Sequence, residues 1–189
     1  MLLTLGCARL APWRAQPPAE PTVRPVVTIH TSIGTILVEL RSDQAPQTVA
    51  NFLRYVEDAF YEGIIFHRVI DGFIVQGGAY TELLLLRVPR APLRNEARPE
   101  LRNRRGTLAM ARSALPHSAT SQFFFNLSDN PHLDRHGSEP ATFGYAVFGA
   151  VIGGMDVVDR IGAQPTGSLG YMDDLPDAPV VIERVVRHR

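Results

Sequence analysis

The sequence predicts a mainly β fold, an antiparallel sheet closed into a barrel with helices over its open ends. Three observations predict it. Short β-forming runs recur from Val26 to the C-terminus, separated by turn residues. Only two stretches carry a helical stripe, and they lie far apart in the chain. Helices therefore do not alternate with strands, as a parallel βαβ sheet would require. Closure removes sheet edges that would otherwise pair with other chains.

The elements follow in order. Val26, Val27 and Ile29, then Ile36, Val38 and Leu40, form two β-type runs around the turn signal Ser32-Ile33-Gly34. Val49, Phe52, Leu53, Val56 and Phe60 make the stripe of an amphipathic helix, with Asp43 and Pro46 as start signals. Further strands are expected over 64–70, 73–76, 107–111, 122–126 and 145–151. A second helix is expected over 154–161, with Met155, Val158 and Ile161 inward and Gly162 as its stop. Pro179–Val186 reads as a last strand, with Val181, Glu183 and Val185 opposite Val180, Ile182 and Val186. The irregular, arginine-rich segment 79–105 is expected to wrap the surface as a loop, its Leu83–Leu86 run tucked onto the barrel or, failing that, forming a contact patch.

Composition narrows the function. The chain has 189 residues and is long enough to bury a core without disulfide or metal staples. Nineteen basic residues balance nineteen acidic ones, which argues against a nucleic-acid binder. Every basic residue is arginine, so Schiff-base and P-loop lysine chemistry are excluded. Cys7 stands alone and can form no internal disulfide, redox pair or cysteine zinc site. His132 and His136 flank a loop-like stretch ending at Gly137, not a helix that would aim both at one metal. No serine sits on an elbow motif.

Residues 1–25 differ from the rest. Met1–Leu5 is apolar and runs into Gly6-Cys7, and Ala11–Pro25 is proline-rich, an extended linker in character. We expect a signal-like or linker segment over 1–25 and the functional domain over 26–189. The leader implies a periplasmic or membrane-tethered lipoprotein, with a cytoplasmic protein as the alternative.

Two segments carry candidate chemistry. In Phe66-His67-Arg68-Val69-Ile70-Asp71-Gly72-Phe73-Ile74-Val75-Gln76-Gly77-Gly78, one strand bears an arginine, turns at Asp71-Gly72, and returns with a glutamine. In Ser121–Asn126, period two places Gln122, Phe124 and Asn126 on one face and Phe123 and Phe125 on the other. One face would pack the core and the other would line a site.

Together with Phe60-Tyr61, GTLAMAR at 106–112, SQFFFN at 121–126 and FGYAVFGAVIGGMDVVDRI at 143–161, these segments resemble the cyclophilins, the peptidyl-prolyl cis-trans isomerases. The resemblance covers about 26–187. NEA at 95–97 and RNRRGTLAMAR at 102–112 are similar to the bacterial periplasmic-type members. It implies an eight-stranded antiparallel barrel capped by two helices, acting on proline-containing peptides and on unfolded or folding proteins. It implies a monomer that needs neither metal nor cofactor. By motif position it implies Arg68, Phe73 and Gln76 as catalytic, with His67, Ile74, Ala111, Arg112, Gln122, Phe124, His132, Leu133 and Tyr145 binding substrate. Three positions depart from the eukaryotic pattern: His132 where tryptophan is common, Tyr145 where histidine is, and Arg112 where asparagine is. Cyclosporin-type ligands use the tryptophan position, so weak cyclosporin binding is expected. A proline-gripping holdase without turnover, or an interaction protein recruited through Leu83–Leu86 or the leader, remain alternative readings.

Overall fold

The structure, a computed structural model, describes residues 24–188; the expectations for the leader fall mostly outside them. β1 (Val26–Thr31) and β2 (Gly34–Leu40) form the opening hairpin. α1 (Pro46–Glu57) follows, then β3 (Ile64–Ile70), β4 (Ile74–Thr81), β5 (Thr107–Met110), β6 (Phe123–Asn126) and β7 (Val147–Gly153). α2 (Met155–Gly162), β8 (Thr166–Leu169), β9 (Met172–Pro176) and β10 (Val181–Arg187) complete the chain. Eight strands close a barrel in the order β1-β10-β3-β4-β6-β5-β7-β2, every neighbour antiparallel. β8 and β9 form a separate hairpin.

The barrel interior is apolar and rich in rings. Phe66, Phe123, Phe125 and Phe148 point inward from the strands and meet Phe52 of α1 and Tyr61. Phe52 and Phe148 have centroids 5.3 Å apart, and Tyr61 meets Phe123 edge-on at 5.3 Å. Burying each such ring contributes roughly 1.5–3 kcal/mol. Gly77 leaves room for Phe66: a Cβ there would lie 2.9 Å from its ring. The helices close opposite ends. Asn51 of α1 donates to the Thr120 carbonyl before β6, at 2.8 Å, whereas Gly162 of α2 packs on Leu127 just after it.

The structure corrects several sequence expectations. Asp43 does not cap α1; its carboxylate takes two bonds from Arg24, at 3.0 and 2.9 Å. The helix start is met instead by Glu96, which accepts from the Gln47 and Thr48 amides at 3.2 and 2.8 Å. Gly162 is the last residue of α2, one position before the C-cap Ala163, and a Cβ on it would come within 2.5 Å of Leu127, so it also allows close packing. On β10 a bulge at Glu183 shifts the register, since His30 pairs with Arg184 and Thr31 with Ile182. Val185 therefore shares the buried face of Ile182, and Val186 turns out. Leu83, Leu85 and Leu86 are exposed and not tucked onto the barrel. β4 runs on to Thr81, and the β8–β9 hairpin was not anticipated, because Thr166–Leu169 is wholly exposed and shows no alternation of apolar residues.

Candidate active site

The site lies on the outer face of β3, β4, β6 and β5, and a bulge creates it. Phe66 and Val69 both enter the barrel core, three residues apart where strict alternation allows two or four. The pairings explain this: Phe66 faces Gly77 but Arg68 faces Gln76, so His67 is the extra residue. Arg68 is thereby turned outward beside Gln76. On the neighbouring strands, Ile74, Ala109, Phe124 and Val147 turn outward too and form a second apolar cluster.

That cluster floors a pocket of about 230 Å³. Phe73, Ile74, Phe124, Leu133, Tyr145 and Ala111 supply its apolar wall, and Arg68, Gln76 and Arg112 its polar rim. Phe124 meets Tyr145 edge-on at 5.7 Å. Gln76 Nε2 donates to Gln122 Oε1 at 2.9 Å, so the two glutamines hold one another. Thus nine of the twelve residues expected at the site line one cavity. His132 stands at its rim, stacked on Phe73 with centroids 5.4 Å apart. His67 and Gln122 line an adjoining polar hollow with Arg68.

A buried amide network fixes the wall from behind. Asn130 Nδ2 donates to the Phe73 carbonyl at 3.2 Å and to Asn126 Oδ1 at 2.8 Å. Asn126 donates in turn to Thr107 Oγ at 2.9 Å. Asn103 holds the Leu133 carbonyl at 3.0 Å, and its own amide N–H donates to Asp134 at 2.6 Å. The pocket is therefore rigid although two of its walls come from loops. Sequence reasoning missed Asn103, Asn130 and Asp134, whose polar letters in a loop look like any solvated turn.

The comparisons agree with this geometry. A family model described as cyclophilin type peptidyl-prolyl cis-trans isomerase/CLD matches residues 26–187. This chain is a cyclophilin. It is an enzyme of the peptidyl-prolyl cis-trans isomerase class. It is 48% identical over 160 residues to peptidyl-prolyl cis-trans isomerase B of Escherichia coli, covering 85% of this chain and 98% of that one. It is 50% identical over 157 residues to an isomerase of Streptomyces antibioticus, covering 83% and 95% of the two chains. A Cryptosporidium parvum cyclophilin crystallised in the presence of the dipeptide Ala-Pro superposes with a TM-score of 0.72 at 29% identity, covering 87% of this chain and 99% of that one.

Two polar residues of the cyclophilin site are already committed. Arg112 lies over the Tyr145 ring at 4.7 Å, and its guanidinium donates to the carbonyls of Gly144, Ser113 and Pro140, each at 3.0 Å. It ties two loops together. His67 is only 7% exposed, lies edge-on to Tyr80, and has no partner at Nδ1 among the described residues. Burial lowers its pKa to about 4, and Gln122 and the Ile65 backbone pull the other way without reversing this. His67 is neutral near pH 7 and is no proton donor there.

Proposed function

We propose that this cyclophilin catalyses rotation about X-Pro bonds through Arg68, with the proline ring held in the Phe73–Phe124–Leu133 pocket. One observation carries the reading. Of the two arginines on the pocket rim, Arg112 has donated its N–H groups to backbone carbonyls, whereas the Nη groups of Arg68 donate to no acceptor among the described residues. Arg68 is the guanidinium available to a substrate.

The chemistry needs little else. Amide resonance sets a barrier of roughly 20 kcal/mol. No bond breaks, so no nucleophile is needed. In the twisted transition state the proline nitrogen regains a lone pair, which a guanidinium N–H can meet. The planar ground state offers no such acceptor, so the interaction favours the transition state alone. Arginine stays charged and its planar fork is stiff. The apolar pocket keeps the ring still while the rest of the peptide turns, and exclusion of water strengthens the hydrogen bond. Going from ~10⁻² to ~10³ s⁻¹ requires roughly 7 kcal/mol, within reach of one charge-assisted donor, desolvation and positioning together.

The test is Arg68→Ala in a protease-coupled isomerisation assay. We expect kcat/KM to fall by about 100-fold, the scale of losing one transition-state donor, with an unchanged melting curve. Near wild-type turnover would overturn the assignment. Gln76, Phe73 and the remaining pocket residues serve as orienting and binding groups in the same scheme. The clients are proline-containing segments of folding proteins, met by a monomeric domain. The composition of residues 1–25 supports an exported or tethered enzyme, and finding an intact Met1 in the cytosolic fraction of the native organism would refute that.

A further inference from the structure

Arg68 stands between two hollows. On one side lies the apolar pocket. On the other lies a polar hollow of about 340 Å³, lined by His67, Tyr80, Gln122, Tyr171, Asp173 and Asp174. A flexible arginine side chain has room to swing into either, yet only one direction serves a substrate proline. Gln76, its partner across the ladder, makes no hydrogen bond to it among the described residues; its Nε2 donates to Gln122 at 2.9 Å instead. What does meet Arg68 is Asp174 Oδ2, 3.4 Å from Nε.

Asp174 comes from β9, outside the barrel, in a hairpin that lies against β3. Its backbone sits at φ 59°, the left-handed region that glycine adopts freely and aspartate adopts at a modest cost. Only Ala59 and Leu84 share this trait among the non-glycine described residues. A glycine would serve the backbone better; an aspartate here puts a carboxylate beside Nε. An ion pair at Nε favours one direction of the fork and leaves both Nη groups without an acceptor among the described residues.

We propose that Asp174 is a positioning residue, which anchors the Nε edge of the Arg68 guanidinium from the polar-hollow side and leaves its Nη groups to serve the proline pocket. This rests on the reading of Arg68 as the catalytic arginine. It gives the β8–β9 hairpin a part in turnover although it lines no wall of the proline pocket.

The test uses the full chain and an uncharged proline peptide. Asp174→Gly relieves the backbone and Asp174→Asn keeps the shape without the charge. Both are expected to lower kcat roughly tenfold, as modest misplacement of a reacting group does, with KM unchanged within about twofold. The glycine variant should melt no lower than wild type. An exposed ion pair is screened by salt, so high ionic strength should bring wild-type kcat down toward the variants while leaving theirs unaltered. In an Arg68→Ala background, Asp174→Gly should change nothing further. Wild-type kcat in both variants would overturn the proposal and leave the role of Arg68 standing. An equal loss from Asp174→Gly with and without Arg68 would show a structural role instead. Full turnover by Arg68→Ala alone would overturn both readings.

Discussion

Phe123 and Phe124 are adjacent in sequence, lie on one strand and are both almost fully buried, yet they belong to different parts of the molecule. Phe123 faces the barrel interior among Phe52, Tyr61, Phe66 and Phe125. Phe124 faces outward, under loops, and touches Tyr145. The interior supports itself: its rings pack on one another from strands that alternate. The outer face is supported from a distance, by amides and arginines in loops. Stability is concentrated on one side of the sheet and chemistry on the other, so single substitutions should separate the two.

The sharpest way to break this division is to truncate the two rings in turn. Phe123→Ala should cost about 3–5 kcal/mol of unfolding free energy, the range for deleting a ring from a packed core. The fraction that stays folded should keep its kcat/KM. Phe124→Ala should destabilise less, because its cavity opens into a pocket, and should lower kcat/KM strongly. Urea unfolding and isomerisation assays on both proteins decide it. An equal stability loss with equal activity would show that the two faces are one unit.

His67 tests the boundary between the faces. In the folded chain it takes up a proton only near pH 4, against an ordinary value of 6.5. As pH falls through 6.5, the unfolded chain gains a proton that the folded one refuses, so stability falls. From pH 7.5 to 5 the loss from this group should be roughly 2 kcal/mol. His67→Leu should abolish that part of the acid dependence. The same slope in the variant would place the acid sensitivity elsewhere. Turnover between pH 6 and 8 should not report a His67 titration, since the ring stays neutral over that range.

The same contrast explains what could be read in advance. The barrel strands and both helices were legible, because interior residues repeat with period two or 3.6 and Phe123, Phe125, Val158 and Ile161 declare a face. Pocket residues were legible only through family motifs, since Arg68 or Leu133 alone looks like any strand arginine or loop leucine. His67 as a bulge was not legible: one extra residue reverses every facing after it and leaves no mark on composition. Glu96, Asn103, Asn130 and Asp134 were missed for another reason. Each acts through one or two hydrogen bonds to segments distant in sequence, and no local pattern encodes such a partner. In the β8–β9 hairpin, β8 is wholly exposed and β9, with Asp174, carries no alternation of apolar residues.

At the pocket rim the division can be sharpened with a ligand. His132 stacks on Phe73 but is exposed, and an imidazole offers less apolar area than an indole. Cyclosporin should bind this protein weakly. His132→Trp should tighten binding about tenfold, the order expected from the added buried ring area. Melting temperature should stay the same, as befits a residue outside the core. Calorimetric titration showing tight binding by the wild-type protein would contradict the expectation.

The smallest effect concerns the joint between the loop and the barrel. α1 begins at Pro46 with no side-chain cap of its own, from Ala45. Its first free amides are answered by Glu96, from the long segment between β4 and β5, which also accepts from Thr48 Oγ at 2.8 Å. A carboxylate there satisfies orphan donors and meets the positive end of the helix dipole. Glu96→Gln keeps one acceptor but loses the charge and turns an amide toward a donor. The expected cost is about 1 kcal/mol in low salt, less in 1 M salt where the dipole term is screened. The proline pocket lies on another face of the sheet, so kcat/KM should hold. Because Asn95, next to Glu96, donates to the Gly144 carbonyl that Arg112 also holds, a loosened loop has one route to the site. A fall in kcat/KM that outruns the loss of stability would therefore show that the loop transmits the helix cap to Tyr145, and that the two faces are coupled there.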